Sequence, residues 1–292
     1  MSKQHARMRA RAGLLALFVL AGTTPSCAQD WRTITSLRQF RGEQLLDVQV
    51  EYGAGNLTIA PAAGNSLYKA TLRYDANAFK PVTQYSNGRL RVGVEGGSVK
   101  GRNLKSGRLD LALGNRVPLD MDLKFGAVHA DVELGGLRIR QLHIATGASE
   151  TQLSVSTANP ERCSNVDLEV GAAEFTATGL GNLNCEHFRM AGGVGDVTLD
   201  FNGAWRADAS VDIDMGLGSL TVRVPRGLGV SVRKKGVLAS FDSQELIKRG
   251  NTFYSENWDK ASRRVTFNID AALGSIRMVW VEPEQDLRKA QR

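Results

Sequence analysis

Seven short motifs rich in glycine punctuate the chain, and around each of them apolar and polar residues alternate in the same phase. The motifs begin at Gly53, Gly126, Gly147, Gly171, Gly193, Gly216 and Ala272, so the five central ones are 21 to 24 residues apart and the outer two stand 73 and 56 residues away. Five residues before each motif come Val48, Met121, Leu142, Val166, Phe188, Val211 and Phe267, a wholly apolar row, and the row three before it is apolar too. Between these rows, four before the motif, stand Gln49, Asp122, His143, Asp167, Arg189, Asp212 and Asn268, all polar. Beyond the motif, position six reads Ile59, Val132, Leu153, Ala177, Leu199, Val222 and Met278, next to a polar row at position five. A period of two marks strands with one buried face.

Each unit therefore reads strand, tight glycine turn, strand, the glycine supplying backbone angles that larger residues resist. A single unit leaves its apolar rows open to water, and stacking units side by side closes them into a continuous core. The expected fold is all-β, a β-solenoid of stacked strand–Gly-turn–strand repeats or a closely related ladder of hairpins, with capping excursions at both ends. An N-terminal β region over residues 29–117 precedes the regular repeats of 118–225, a closing β region over 226–282 and a charged tail over 283–292.

Two cysteines fit this alignment. Cys163 and Cys185 each lie eight residues before a motif, in adjacent units. Stacked positions sit about 4.8 Å apart, within the Cα separation of roughly 4.4–6.8 Å that a disulfide accepts. A Cys163–Cys185 bridge is expected.

The amino terminus reads differently. Lys3, Arg7, Arg9 and Arg11 precede an apolar run of ten residues and then the small-residue segment "GTTPSCAQD". Ten residues are about half of what a bilayer crossing needs, and the order basic, apolar, small is that of a secretory signal over residues 1–28, cut between Ala28 and Gln29. Cys27 offers the alternative of a lipid anchor, although "TPSC" lacks the large aliphatic residue usual three places before such a cysteine. The mature chain has no apolar stretch long enough for a transmembrane helix, and a periplasmic or extracellular location is expected.

Composition changes the picture little until the signal is removed. The net charge of +7 falls to +3 without residues 1–28, so the overall charge does not point to nucleic acid. What remains is polar: residues 117–225 carry 7 basic and 15 acidic side chains, between basic flanks that include Lys100, Arg102, Lys105 and Arg108 on one side and Arg233, Lys234 and Lys235 on the other. Those flanks are expected to meet an envelope protein or an anionic envelope surface.

Catalytic chemistry is poorly represented. His129, His143 and His187 fall on different units, and Asp122, Asp167 and Asp196 look mismatched as ligands, so neither a metal site nor a cofactor is expected. The chain has no G-x-S-x-G elbow, and the glycine motifs lead into strands rather than the helix amino termini that bind phosphate. Asp167, Glu169, Asp212 and Asp214 make an acidic patch that reads equally as a polysaccharide-cleaving carboxylate pair or as solvated ladder. Phe253, Tyr254 and Trp258, with Trp280 nearby, form the one non-repetitive aromatic cluster, read as a cap over the core or as a binding platform.

The run "VPLDMDLKFGAVHADVELGGLRIRQLHIATGASETQLSV" at residues 117–155 resembles the toast-rack proteins, relatives of the LiaF-like group of bacterial envelope-stress proteins. The segments "VPRGLGVSVRKKG" and "GNTFYSENWDKASRRVTFNIDAALGSIRM" are similar to the closing part of that family. The resemblance spans about residues 46–281 and implies a toast-rack-like β-solenoid. The usual Gly-Ala-Gly-Asp turn is replaced here by "GAVH", "GASE" and "GAAE", so no anion or metal cradle carries over. LiaF-type regulators place transmembrane helices before the β-domain, whereas this chain carries an export signal. The expectation is an exported, non-enzymatic envelope module with a structural or binding role, with an envelope-stress regulator or a glycan-active β-helix enzyme as the alternatives.

Overall fold

The computed structural model describes residues 30–96, 107–236, 238–242 and 244–283. Residues 1–28 with their cleavage point Ala28/Gln29, Cys27, and Lys100, Arg102 and Lys105 lie outside the described residues.

The units stack in parallel and in register. Six of them are single bent strands: β2 (Leu46–Pro61), β7 (Pro118–Glu133), β10 (Cys163–Thr178), β11 (Cys185–Asp200), β12 (Ala209–Pro225) and β17 (Arg264–Val281). Three more are split at the bend into β5 (Arg89–Glu95) and β6 (Arg108–Leu113), β8 (Arg138–Thr146) and β9 (Glu150–Ser154), and β13 (Gly229–Lys235) and β14 (Leu238–Asp242). The glycine motif is thus a bend inside a continuous strand rather than a turn that ends one. In β12 the buried residues are Val211, Ile213 and Met215 before the bend and Leu220, Val222 and Val224 after it. The buried phase moves from odd to even positions, so both arms of the bent strand face one core.

Stacked, the arms form one 17-stranded sheet folded along the line of bends, its half before the bends being the first sheet and its half after them the second. The rungs run β5/β6, β2, β7, β8/β9, β10, β11, β12, β17, β13/β14. Each excursion therefore does more than cap: it places a rung outside one formed earlier or later in the chain. Antiparallel strands then close the ends. At the N-terminal end β4 (Lys80–Ser86) pairs with β5, while β3 (Ser66–Asp75) pairs with β6 and β1 (Trp31–Gln39) with β3. At the other end β16 (Thr252–Ser255) pairs with β13, and β15 (Leu246–Arg249) with β16.

The third side of the core is closed by the connections between rungs. Phe201, after β11, is fully buried and meets Phe188 and Phe267 edge-on at 5.6 and 5.2 Å. Two asparagines bind this side to the sheets. Asn159 Nδ2 donates to Ile139 O and Leu183 O at 2.7 and 2.8 Å, while its Oδ1 accepts from Ile139 N and Glu161 N. Asn182 donates to Val155 O and accepts from Ala204 N. Burial works to raise the Glu133 carboxyl, but hydrogen bonds from Ser154, Gly135 and Ser156 outweigh it and hold the group below its usual value.

Cys163 and Cys185 are register partners on β10 and β11 and are joined by a disulfide, with Cα atoms 4.3 Å apart. The bond closes a loop of 22 residues, for which chain entropy gives about 3 kcal/mol. A Cys163→Ala/Cys185→Ala variant is expected to lose about that much in urea unfolding, with the fold retained; a variant as stable as the parent would show that the link is dispensable.

Candidate binding surface

Because the rungs are in register, side chains on the outer faces line up in ladders. On the first sheet the row four residues before the bend runs Arg91, Gln49, Asp122, His143, Asp167, Arg189, Asp212, Asn268, Arg233 across nine rungs. Several neighbours touch: Asn268 Nδ2 donates to Asp212 Oδ1 at 2.8 Å, and Arg233 Nη1 to Asn268 Oδ1 at 3.4 Å. The ladder brings Asp122 and Asp167, two of the three acids read as mismatched ligands, next to His143. Both stand four residues before their bends, as His143 does, and in-register stacking sets them on either side of it. His129 and His187 do lie elsewhere, His129 Nδ1 being 3.2 Å from a Glu150 oxygen and His187 Nδ1 bonded to Ser210 Oγ at 2.9 Å.

The ladders have local electrostatics. Lys124 Nζ lies 2.8 Å from Asp122 Oδ2, and this bond raises the lysine above its usual value against the opposing effect of burial, with further help from Glu51 and Glu169. Two residues before Asp122, burial raises the Asp120 carboxyl although Arg140, at 3.6 Å, pulls it down.

Over the last four rungs the first sheet opens into a groove of about 490 Å³ lined by Arg189, Asp212, Asp214, Arg233, Lys235, Asn268, Ile269 and Asp270. The acidic patch is divided by this geometry: Asp212 and Asp214 enter the groove, while Asp167 and Glu169 stand two rungs away beyond Arg189. The basic flanks also meet acids or carbonyls. Arg108 pairs with Asp110 at 2.9 Å, Lys234 Nζ donates to Ala239 O at 2.5 Å, and Arg233 and Lys235 share the groove with three aspartates. The surface is mixed in charge rather than uniformly basic.

Beside the groove, along the line of bends, runs a row that the sequence reading absorbed into its turns. One residue after the first of each motif come Ala54, Ala127, Ala148 and Ala172, then Val194, Leu217 and Leu273, with Leu238 stacked on Leu273 at the end. Val194, Leu217, Leu273 and Leu238 are 52, 44, 47 and 70% exposed, a contiguous apolar ridge on the same rungs that form the groove. The alignment that found the buried rows contains this one too; its exposure follows from the bend, which turns that position outward.

The aromatic residues do not form one platform. Phe253 packs edge-on against Phe241 at 5.1 Å, and Tyr254 against Trp258 at 5.4 Å, with the guanidinium groups of Arg249 and Arg264 over their rings. Trp280 stands apart, its Nε1 bonded to Gln244 O at 3.4 Å, on the wall of a second cleft of about 460 Å³ with Arg226, Glu245 and Glu256. Among the described residues no helix is long and apolar enough to cross a membrane.

Solved structures of three bacterial proteins show some likeness. A proposed cell adhesion protein from Clostridium sporogenes is 17% identical, with 86% of this chain and 100% of that chain covered and a TM-score of 0.44. Proposed adhesins from Bacteroides fragilis and Parabacteroides distasonis are 13 and 10% identical over 85% of this chain and 97% of each of theirs, with TM-scores of 0.40 and 0.37. No curated protein sequence matches. The family described as the N-terminal domain of toast_rack, DUF2154, matches residues 28–178 and again 164–223, more than half the chain. With its bent, stacked strands, this chain belongs to the toast-rack family.

Proposed function

We propose that this protein is an exported, non-enzymatic module of the bacterial envelope that docks an envelope protein on its last four rungs. The observation that carries the reading is the coincidence of two surface features. A groove of mixed charge and an exposed ridge of four aliphatic side chains occupy the same rungs, and polar specificity beside an apolar contact strip is the composition of an interface. A sheet of stacked, hydrogen-bonded strands holds both in fixed relation, so little conformational freedom is lost when a partner binds. The aspartates that share the groove with Arg233 and Lys235 favour a protein of complementary mixed charge over a uniformly anionic surface. A regulator of the LiaF kind would use the same surface for a membrane partner.

The test is capture from detergent-solubilised envelopes of the native bacterium, comparing the parent with Leu217→Glu/Leu273→Glu. The parent is expected to retain one stoichiometric partner, and the variant to bind it at least tenfold more weakly, since a few central contacts dominate such interfaces. Equal retention by both proteins, or adsorption to anionic vesicles that high salt abolishes with no protein partner recovered, would overturn this reading.

A further inference from the structure

The ladder on the first sheet holds a second arrangement, four rungs' width from the start of the stack and separate from the groove. His143 on β8 stands between Asp122 on β7 and Asp167 on β10. Its Nδ1 is 3.5 Å from Asp167 Oδ2 and its Nε2 is 3.9 Å from Asp122 Oδ1. Both gaps exceed an ordinary hydrogen bond. Glu169, on the same face of β10, completes the group: one donor atom each from His143, Asp167 and Glu169 lie within 4.8 Å of one another. Asp122 contributes an independent sign. Its Oδ2 is taken by Lys124, but Oδ1 is a buried oxygen without a hydrogen-bond partner among the described residues, and it faces His143.

We propose that His143 Nδ1, Asp167 and Glu169 bind one divalent transition-metal ion, with zinc the best fit, while Asp122 Oδ1 orients the imidazole from its Nε2 side. Donors about 2.0–2.2 Å from a tetrahedral zinc are about 3.3–3.6 Å from each other, and the His143–Asp167 gap of 3.5 Å already has that length. Small rotations of Glu169 and His143 close the rest, because both side chains stand on an open sheet face. Charge agrees with this choice. The two ligating carboxylates carry the two negative charges that a divalent ion balances. The imidazole selects against calcium and magnesium, which prefer all-oxygen sites. The rung spacing of the ladder does the positioning: in-register stacking brings Asp122, His143 and Asp167, 21 and 24 residues apart in sequence, onto neighbouring rungs.

The His129 group tests specificity within the same molecule. His129 also lies near two acids, Glu150 and Asp131, but among the described residues it has no third converging ligand and no orphaned buried oxygen. The experiment is titration of the untagged full chain with zinc chloride by calorimetry, with cobalt(II) as the spectroscopic probe. One zinc per chain is expected, a rise in melting temperature with zinc, and the visible absorption of cobalt in a site of low coordination number. His143→Ala and Asp167→Asn should each weaken binding at least tenfold and abolish the thermal shift, while His129→Ala and His187→Ala leave both unchanged. Unaltered circular dichroism of the apo variants separates ligand loss from misfolding, and Asp167→Asn, which conserves shape, serves if His143→Ala fails to fold. Absence of stoichiometric zinc binding, or binding that survives loss of His143 and Asp167, would overturn the site.

Discussion

Replacing Gly218 with valine is expected to leave the protein unable to fold. Gly218 sits two residues into the bend of β12 with φ of 140°, where side chains are strained. A Cβ there would also lie 1.9 Å from Gly195 O on the neighbouring rung, and Gly218 O is itself 1.9 Å from the place a Cβ would take at Gly274. Backbone meets backbone at the corner of the stack, so no side chain can move aside to relieve the clash. The cost exceeds about 4 kcal/mol, a large part of the roughly 5–15 kcal/mol that holds a domain folded. Soluble yield and the urea midpoint check this, with Gly250→Asn as the control. Gly250 has φ of 62°, has nothing within 4 Å of its would-be Cβ, and lies where asparagine is tolerated. A valine variant with the parental midpoint would mean that the rungs do not approach this closely.

The second large effect is expected at Asn159, which is 1% exposed and holds the connecting side of the core to both neighbouring rungs. Asn159→Leu removes two donated and two accepted hydrogen bonds and leaves Ile139 N and O, Leu183 O and Glu161 N without that partner. Orphaned buried groups cost about 1–3 kcal/mol each, and partial relaxation leaves an expected loss of about 3–5 kcal/mol. Chemical denaturation reads it directly. Asn165→Ala, on the exposed ladder two residues beyond Cys163, is the comparison and should stay within about 0.5 kcal/mol of the parent. Similar losses at the two sites would show that Asn159 is no more than a loop residue.

These two residues mark how far the sequence speaks. The buried rows were legible because in-register stacking repeats one phase seven times, and Val166, Phe188 and Val211 sit where that phase puts them. The Cys163–Cys185 pairing was legible for the same reason. Asn159 was not, because the connecting side has no period and a buried asparagine there looks like any polar loop residue. The bends were read as turns since a glycine motif has the same composition in both; only the shift of buried phase, from Met215 to Leu220, separates them. That misreading also hid the apolar ridge, where Leu217 and Leu273 passed for turn residues. The surroundings of His143 were hidden differently: the three histidines fall on different units and do not meet one another, whereas the acids that stacking sets beside His143 belong to its own row.

Rung order at the carboxyl end was the least legible feature, because a long excursion fixes how many residues leave the stack and not on which side they return. The structure inserts β17 between β12 and β13, so Asn268 lies next to both Asp212 and Arg233, while Asp212 and Arg233 are a full rung further apart. Disulfide trapping tests this stack most directly. Under mild oxidation Asp212→Cys/Asn268→Cys is expected to cross-link nearly completely and Asp212→Cys/Arg233→Cys to remain reduced, as register neighbours about 4.8 Å apart can bridge and residues two rungs apart cannot. The reverse pattern, a 212–233 link with 212–268 left free, would contradict the inserted rung and with it the surface on which binding is proposed.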